Sequence, residues 1–323
     1  MIAGSRVLVT GACGFSGRHL VRRLREFPGL RIIGLDCLPA GDLPLDKHFV
    51  LDLGGEDMVA DAVERARPDL VFHLAGLLRG ASLEELRLVN FDGFVCLCRA
   101  LRHFAGRTGR SVRMVTVGSA AEIGPVDGLP MPLAENVPCR PETPYGKSKW
   151  EATRRALAEP AGSPLAIVVA RPFNLIGPGL PPQLSLGNFA RQIAAVVAGT
   201  ADAVRCGPLD ARRDFVDVRD AVDAYIALAV DGRRGEIYNV CSGRSHRIGD
   251  LLEAMRQLAG VPVAVESMGS AHAAGVSDIV GDASKIHRET GWEPRIPIEQ
   301  SLADLLSSVA IAPRCNTGTC PSG

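Results

Sequence analysis

The sequence predicts an α/β fold: a doubly wound parallel sheet with a smaller, discontinuous α/β lobe beside it. Three observations carry the prediction. Short apolar runs alternate with helical patterns from the start of the chain to about residue 172. Several of these runs are apolar at successive positions rather than at every second one, the mark of strands covered on both faces. The first run ends in a glycine-rich turn that opens a helix, as a strand–crossover–strand unit requires.

Arg6–Thr10 is the first strand. The turn Gly11-Ala12-Cys13-Gly14-Phe15-Ser16-Gly17 follows, then a helix over Arg18–Glu26 with Leu20, Val21 and Leu24 on one face. Arg31–Leu35, ending at Asp36, and His48–Leu51 are further strands, and a polar helical pattern runs on to Arg67. Asp69–Ala75 reads as a buried strand, Leu83–Phe104 as one long helix and Val112–Val117 as a strand. A helix starts at Tyr145 and Leu165–Ala170 is another strand. After Arg171-Pro172 the texture changes: Asn174–Asn188 is rich in Pro, Gly and Leu and has no strand period. Helices are expected at Phe189–Ala198 and Leu251–Leu258. Strand, helix and strand are expected at Asp214–Val218, Val222–Val230 and Glu236–Val240. The expected organisation is a sheet domain of residues 1–173 and 208–243, and a second lobe of 174–207 and 244–312. The stretch 313–323, without periodicity, reads as a disordered tail.

Lys and Arg number 36, and so do Asp and Glu, so the formal net charge is zero. That argues against nucleic-acid or membrane-surface partners recruited by bulk charge. All but four of the basic residues are arginine, so Lys149 stands out where chemistry needs an ammonium. No apolar run approaches the roughly 18 residues of a membrane span, and Met1–Thr10 lacks the pattern of a signal peptide. The nine cysteines are scattered without a C-x-x-C pair, so no metal site is expected. A cytoplasmic enzyme with reduced thiols fits.

Gly11, Gly14 and Gly17 sit between the first strand and the first helix. A dinucleotide pyrophosphate demands a tight turn, close backbone approach and close helix–strand packing, all of which side chains obstruct. The free N–H groups at the helix start then face the phosphates. Asp36 ends the second strand and would accept hydrogen bonds from the adenosine ribose. A 2′-phosphate there meets a carboxylate, so NAD is favoured, with NADP as the alternative if Arg18 turns toward a phosphate.

Tyr145 and Lys149 stand at i and i+4, one turn apart on one helix face. A phenol that titrates near ~10 is a poor base, and bringing it to ~7 takes about 4 kcal/mol of preferential stabilisation. A lysine ammonium and a positive nicotinamide ring together supply that. Ser119, just past Val112–Val117, lies at the carboxyl end of the sheet, where its hydroxyl would hold a substrate oxygen beside Tyr145. His73 and His103 read as ordinary core or surface residues.

With these residues in hand, the chain resembles an extended short-chain dehydrogenase/reductase, the NAD-dependent epimerase/dehydratase group with a Rossmann sheet. The resemblance covers about residues 5–310. Its carriers include Thr10–Gly17, Asp36, Asp52-Leu53, His73–Gly76, Asn90, Gly118–Ala121, Pro144-Tyr145 with Lys149, Arg171–Asn174, Arg213–Val218, Tyr238–Val240 and Gly291-Trp292. The resemblance implies a catalytic set of Ser119, Tyr145 and Lys149. It implies a cofactor site formed by Gly11, Gly14, Phe15, Ser16, Gly17, Asp36, Asp52, Leu53, Leu74, Ala75, Gly76, Asn90 and Phe173, together with Tyr145 and Lys149. It implies substrate contacts from Ser119, Asn174, Asn188 and Arg213. His272 stands where the family often has an arginine against the diphosphate, and Ile123 where a tyrosine often precedes Gly124.

Within the family the chain is most similar to reductases of a GDP-linked 4-keto-6-deoxy-mannose. The implied function is an NAD(P)-dependent reduction at C4 of a nucleotide-linked sugar by a homodimer. A 4-epimerase and a non-catalytic NAD-binding sensor or scaffold are the alternatives. Ala120 and Ala121 occupy positions where dehydratases of the family carry an acid and a base, and Glu122, one step further, is expected to point elsewhere.

Overall fold

The computed structural model describes residues 4–78, 82–267 and 278–310. Its elements run in the order β1 (Arg6–Thr10), α1 (Phe15–Leu24), β2 (Arg31–Asp36), β3 (Lys47–Val50), α2 (Glu56–Ala66), β4 (Leu70–His73), α3 (Leu83–Arg87), α4 (Gly93–Thr108), β5 (Val112–Val117), α5 (Pro144–Leu157) and β6 (Leu165–Pro172). Then come β7 (Asn174–Ile176), α6 (Ser185–Val197), β8 (Ala203–Cys206), β9 (Arg212–Asp217), α7 (Val218–Asp231), β10 (Ile237–Val240), β11 (Ser245–Arg247), α8 (Ile248–Leu258), β12 (Ala264–Ser267), β13 (Asp278–Ile279), α9 (Ser284–Thr290) and α10 (Ile298–Ala310).

Seven parallel strands form the main sheet in the order β10-β6-β5-β4-β1-β2-β3. Each face is buried. One carries Leu20, Val21 and Leu24 of α1 with Val222, Tyr225 and Leu228 of α7. The other carries Val59 and Val63 of α2, Phe94, Leu97 and Leu101 of α4 and Ala152 of α5. Double coverage is why β1, β4 and β6 are apolar at successive positions. Between β1 and β4 the strand order reverses, and the carboxyl ends of the strands part there into a crevice.

The second lobe has its own core, from Leu186, Phe189 and Ile193 of α6, Leu251, Leu252 and Met255 of α8, and Leu302 and Leu305 of α10. β9 is its hub, paired with β7, β11 and β13, while β8 and β12 form a separate parallel pair. Segment 208–243 is therefore divided: β9 serves the small sheet, while α7 and β10 pack on the large one.

Several local expectations are corrected. Helix α1 begins at Phe15, so Gly17 lies within its first turn and not before it. The long helix over Leu83–Phe104 is broken: α3 ends at Arg87 and a π-helical turn spans Leu88–Asp92 before α4. The stretch without strand period contains β7, whose partner is β9 and not a local neighbour. Helix α6 starts at Ser185 and not at Phe189, since Leu184 at its N-cap supplies no capping side chain that the sequence would betray. Tail 313–323 lies outside the described residues, and so does His272.

Candidate active site

The glycine loop is shaped by lack of room. Gly11 has φ +70°, and a Cβ there would stand 2.6 Å from the backbone N of Ala75. A Cβ on Gly17 would run into the carbonyl oxygen of Gly11. The turn thus lies flat against the β4–α3 loop and presents the start of α1, whose Gly14 N-cap offers no side chain and whose first turn holds no acidic residue. Such a helix start suits an anion.

Asp36 is buried at the end of β2. Its Oδ2 accepts the Cys13 N–H at 2.8 Å and its Oδ1 the Leu38 N–H at 3.0 Å. A carboxylate has about four acceptor positions, so the ribose hydroxyls still find acceptors. Arg18 does not face this carboxylate: its Nε donates to the Cys13 carbonyl at 2.9 Å and its guanidinium lies 3.5 Å from Asp42. Asp52 is exposed and accepts the Gly54 N–H, while Leu53 is buried against Gly93 of α4. These features fit a nicotinamide dinucleotide.

Across the crevice, Leu74, Ala75 and Gly76 continue from β4. Asn90, on the π-helical turn, is buried and ties this loop down: its Oδ1 accepts the Leu77 N–H at 2.8 Å and its Nδ2 donates to the Leu77 carbonyl and to Ser148 Oγ of α5. A Cβ on Gly76 would meet Asn90 Oδ1 at 2.9 Å and Lys149 Nζ at 3.8 Å. Loop, Asn90 and the lysine helix are one packed unit.

Ser119 follows β5 and caps the short turn Ala120–Glu122. Tyr145 and Lys149 enter from the first turns of α5, which Thr143 caps and Pro144 starts. The Tyr145 phenol faces Ser119: burial pushes the phenol up to about 12, Ser119 opposes that rise and Glu122 adds to it. The phenol is thus protonated at neutral pH, opposite in direction to the shift expected for the complete site with its nicotinamide. Burial lowers Lys149 and the Glu122 carboxylate raises it. His73 is no bare core residue: its Nδ1 pairs with Thr10 Oγ1 at 2.8 Å, and burial with the nearby Lys149 drives it down to about 3.

Glu122 points away from the crevice as expected, and its pairing with Arg171 is what sequence reasoning missed. It is fully buried, directed back beneath Ser119 and not toward the crevice. Arg171, equally buried, faces it with Nε 3.4 Å from Oε2. A charged pair in the core gives no periodic signal, so only its fold partners reveal it. Phe173 packs with Ile123, Leu133, Val137 and Cys241 beside this pair.

Of the expected substrate residues, Asn174 and Arg213 lie close together on the paired strands β7 and β9. Asn188 lines an open cavity of about 550 Å³ in the second lobe, together with Arg191, Gln192, Arg205, Leu209 and Ile248. Asn174 and Arg213 are not among its lining residues: Asn174 is exposed and donates to the Asp214 carbonyl at 2.9 Å, and Arg213 lies on β9 donating to the Arg212 carbonyl at 2.7 Å. Arg191 could have been found from its place one turn after Asn188 on an amphipathic helix. Among the described residues no cluster of metal-ligating side chains occurs and no helix is long and apolar enough to cross a membrane.

Comparison with known proteins gives one family. The model described as the NAD dependent epimerase/dehydratase family matches residues 7–241. A GDP-6-deoxy-D-mannose reductase of Pseudomonas aeruginosa is 33% identical over 308 residues, covering 94% of this chain and 96% of its own. A dTDP-6-deoxy-L-talose 4-dehydrogenase (NAD(P)(+)) of Kitasatospora kifunensis is 28% identical, covering 96% and 98%. The structure of RMD from Pseudomonas aeruginosa complexed with NADPH superimposes with a TM-score of 0.83 at 31% identity, covering 95% of this chain and 99% of that one.

Proposed function

The chain belongs to the NAD dependent epimerase/dehydratase family and is an NAD(P)-dependent enzyme of nucleotide-sugar chemistry, and within that class we propose that it reduces a 4-keto-6-deoxyhexose nucleotide at C4. The observation that carries this reading is the convergence of Ser119, on the turn after β5, with Tyr145 and Lys149 of α5, while Ala120 and Ala121 of that turn carry neither acid nor base. A nicotinamide dinucleotide, when bound, supplies the hydride.

In this reading Gly11, Gly14 and Gly17 admit the pyrophosphate to the start of α1, and Asp36 accepts the ribose hydroxyls. NAD is the preferred cofactor, because Asp36 disfavours a 2′-phosphate and Arg18 is engaged by Cys13 and Asp42. Lys149 holds the nicotinamide ribose. Ser119 donates to the substrate oxygen and orients it, and Tyr145 Oη gives its proton to that oxygen as negative charge develops. A phenol kept protonated by burial suits a general acid. Asn188, Arg191 and Arg205 carry the diphosphate end of the substrate. Ala120 and Ala121 can neither give nor take a proton, and Glu122 is turned beneath the site, so this turn offers no acid or base for elimination of water across C5 and C6.

The test offers GDP-4-keto-6-deoxy-mannose with NADH and follows reduced-nicotinamide absorbance and the product by chromatography. Stoichiometric cofactor consumption is expected. Interconversion of C4 epimers without net consumption, or a 4-keto-6-deoxy product from an unmodified hexose nucleotide, would overturn the reading.

A further inference from the structure

We propose that Glu122 is a positioning residue for the reaction: its carboxylate fixes the Ser119 turn against α5 and supplies the negative charge that balances Lys149 inside the site. The inference rests on the assignment of Ser119, Tyr145 and Lys149 above and goes beyond it.

The geometry is that of a buried strut. Glu122 Oε1 accepts the Ser119 backbone N–H at 2.8 Å and the Thr153 hydroxyl at 3.0 Å. One oxygen atom therefore joins the turn after β5 to the same helix that carries Tyr145 and Lys149. Gly118 makes room for it: a Cβ there would collide with that oxygen. Glu122 and Arg171 are both wholly removed from solvent. Burying a charged pair is costly and is rarely justified by stability alone, so a local task for the charge is the economical explanation.

The groups facing this carboxylate come from four directions. Arg171 approaches from β6, Cys139 from the loop before α5, and Tyr145, Lys149 and Thr153 from α5, while His73 of β4 reaches the cluster through Lys149. Burial raises the Glu122 carboxyl, and Arg171, the Ser119 N–H, Lys149 and the Thr153 hydroxyl pull it back down; as a carboxylate it acts on both Tyr145 and Lys149. A negative charge disfavours phenolate and favours ammonium. It thus keeps the proton on both groups, the state in which the reducing reaction starts. The acid is present below its folded pKa and lost as pH rises through it. Removing the charge moves that loss to lower pH.

The experiment compares parent, Glu122→Gln and Glu122→Gln/Arg171→Met. The amide keeps an acceptor for Ser119 and Thr153 and discards only the charge. The double variant leaves no uncompensated guanidinium, so it carries the test if the single variant does not fold. Two readouts are taken: the pH profile of kcat, and an NMR titration of tyrosine labelled with carbon-13 at Cζ, in which Tyr145→Phe identifies one of three signals. The basic limb of kcat and the Tyr145 midpoint should both move acidward by about one pH unit. Superimposed profiles and midpoints overturn the proposal, and so does a lower kcat without displacement, which a merely structural role would give. The titration needs no substrate, so it stands or falls separately from the proposed reaction.

Discussion

The two halves of the site are built on opposite principles. At the carboxyl edge of the large sheet, recognition is written in backbone: Gly11 and Gly17 have no space for a Cβ, α1 begins uncapped, and Asn90 pins loop 74–77 to the lysine helix. In the second lobe, the proposed substrate end rests on side chains: exposed Arg191 and Arg205 line an open cavity, with Asn188 half-buried beside them. The first half has little freedom and suits a fixed cofactor. In the proposed reading, the second is where substrate identity is set.

The sharpest way to test the contrast is at the residue where the halves meet. Tyr145→Phe removes the transferable proton and leaves the cofactor surface intact, so kcat should fall by ~10²–10⁴-fold with unchanged NADH affinity by fluorescence titration. Retention of more than half the parent rate would sink the assignment of the acid. In the parent, kcat for reduction should hold through neutral pH and decline as the medium approaches the phenol's own titration, because burial raises that value.

Next in size is Gly17→Ala. Its Cβ meets backbone at Gly11 and Ala12, which cannot swing aside as a side chain can. Overpacking of this kind costs about 1–3 kcal/mol, and cofactor affinity should drop at least about tenfold, since 1.4 kcal/mol is one decade. Thermal unfolding with and without NADH measures both. A variant as stable and as tight as the parent would show that the loop is less constrained than its geometry states.

Asp36→Ala should change preference more than rate. The ratio of NAD to NADP KM should move toward NADP by about tenfold, the scale of one lost charged hydrogen bond. Kinetics with both cofactors decide it, and a parent already preferring NADP would mean that Arg18 leaves Asp42 to meet the phosphate.

Smallest is Arg205→Ala. This side chain is half-exposed and shared with Glu266 at 2.9 Å, and exposed pairs are worth little. KM for the sugar nucleotide should rise only a few-fold with cofactor KM unchanged. An equal effect on both would erase the distinction between the halves.

The sequence carried more of the first half than of the second. Gly11, Gly14, Gly17, Asp36, Ser119, Tyr145 and Lys149 are legible because each answers a local demand: a turn, a strand end, a helix spacing. Residues of the second lobe answer to partners distant in the chain. β7 is three residues without period that become a strand only beside β9, and α6 starts without a cap.

What the sequence determined by itself is the alternation of strand and helix, the glycine loop and the serine, tyrosine and lysine at their spacing, since backbone sterics and helical periodicity act within a few residues. What only the tertiary structure decided is the charge inside the site. Glu122 and Arg171 are 49 positions apart in the chain. Their proximity, like the pairing of His73 with Thr10 across adjacent strands, follows from the order in which strands pair. That order is fixed by burying two sheet faces at once, a global condition that no local pattern encodes.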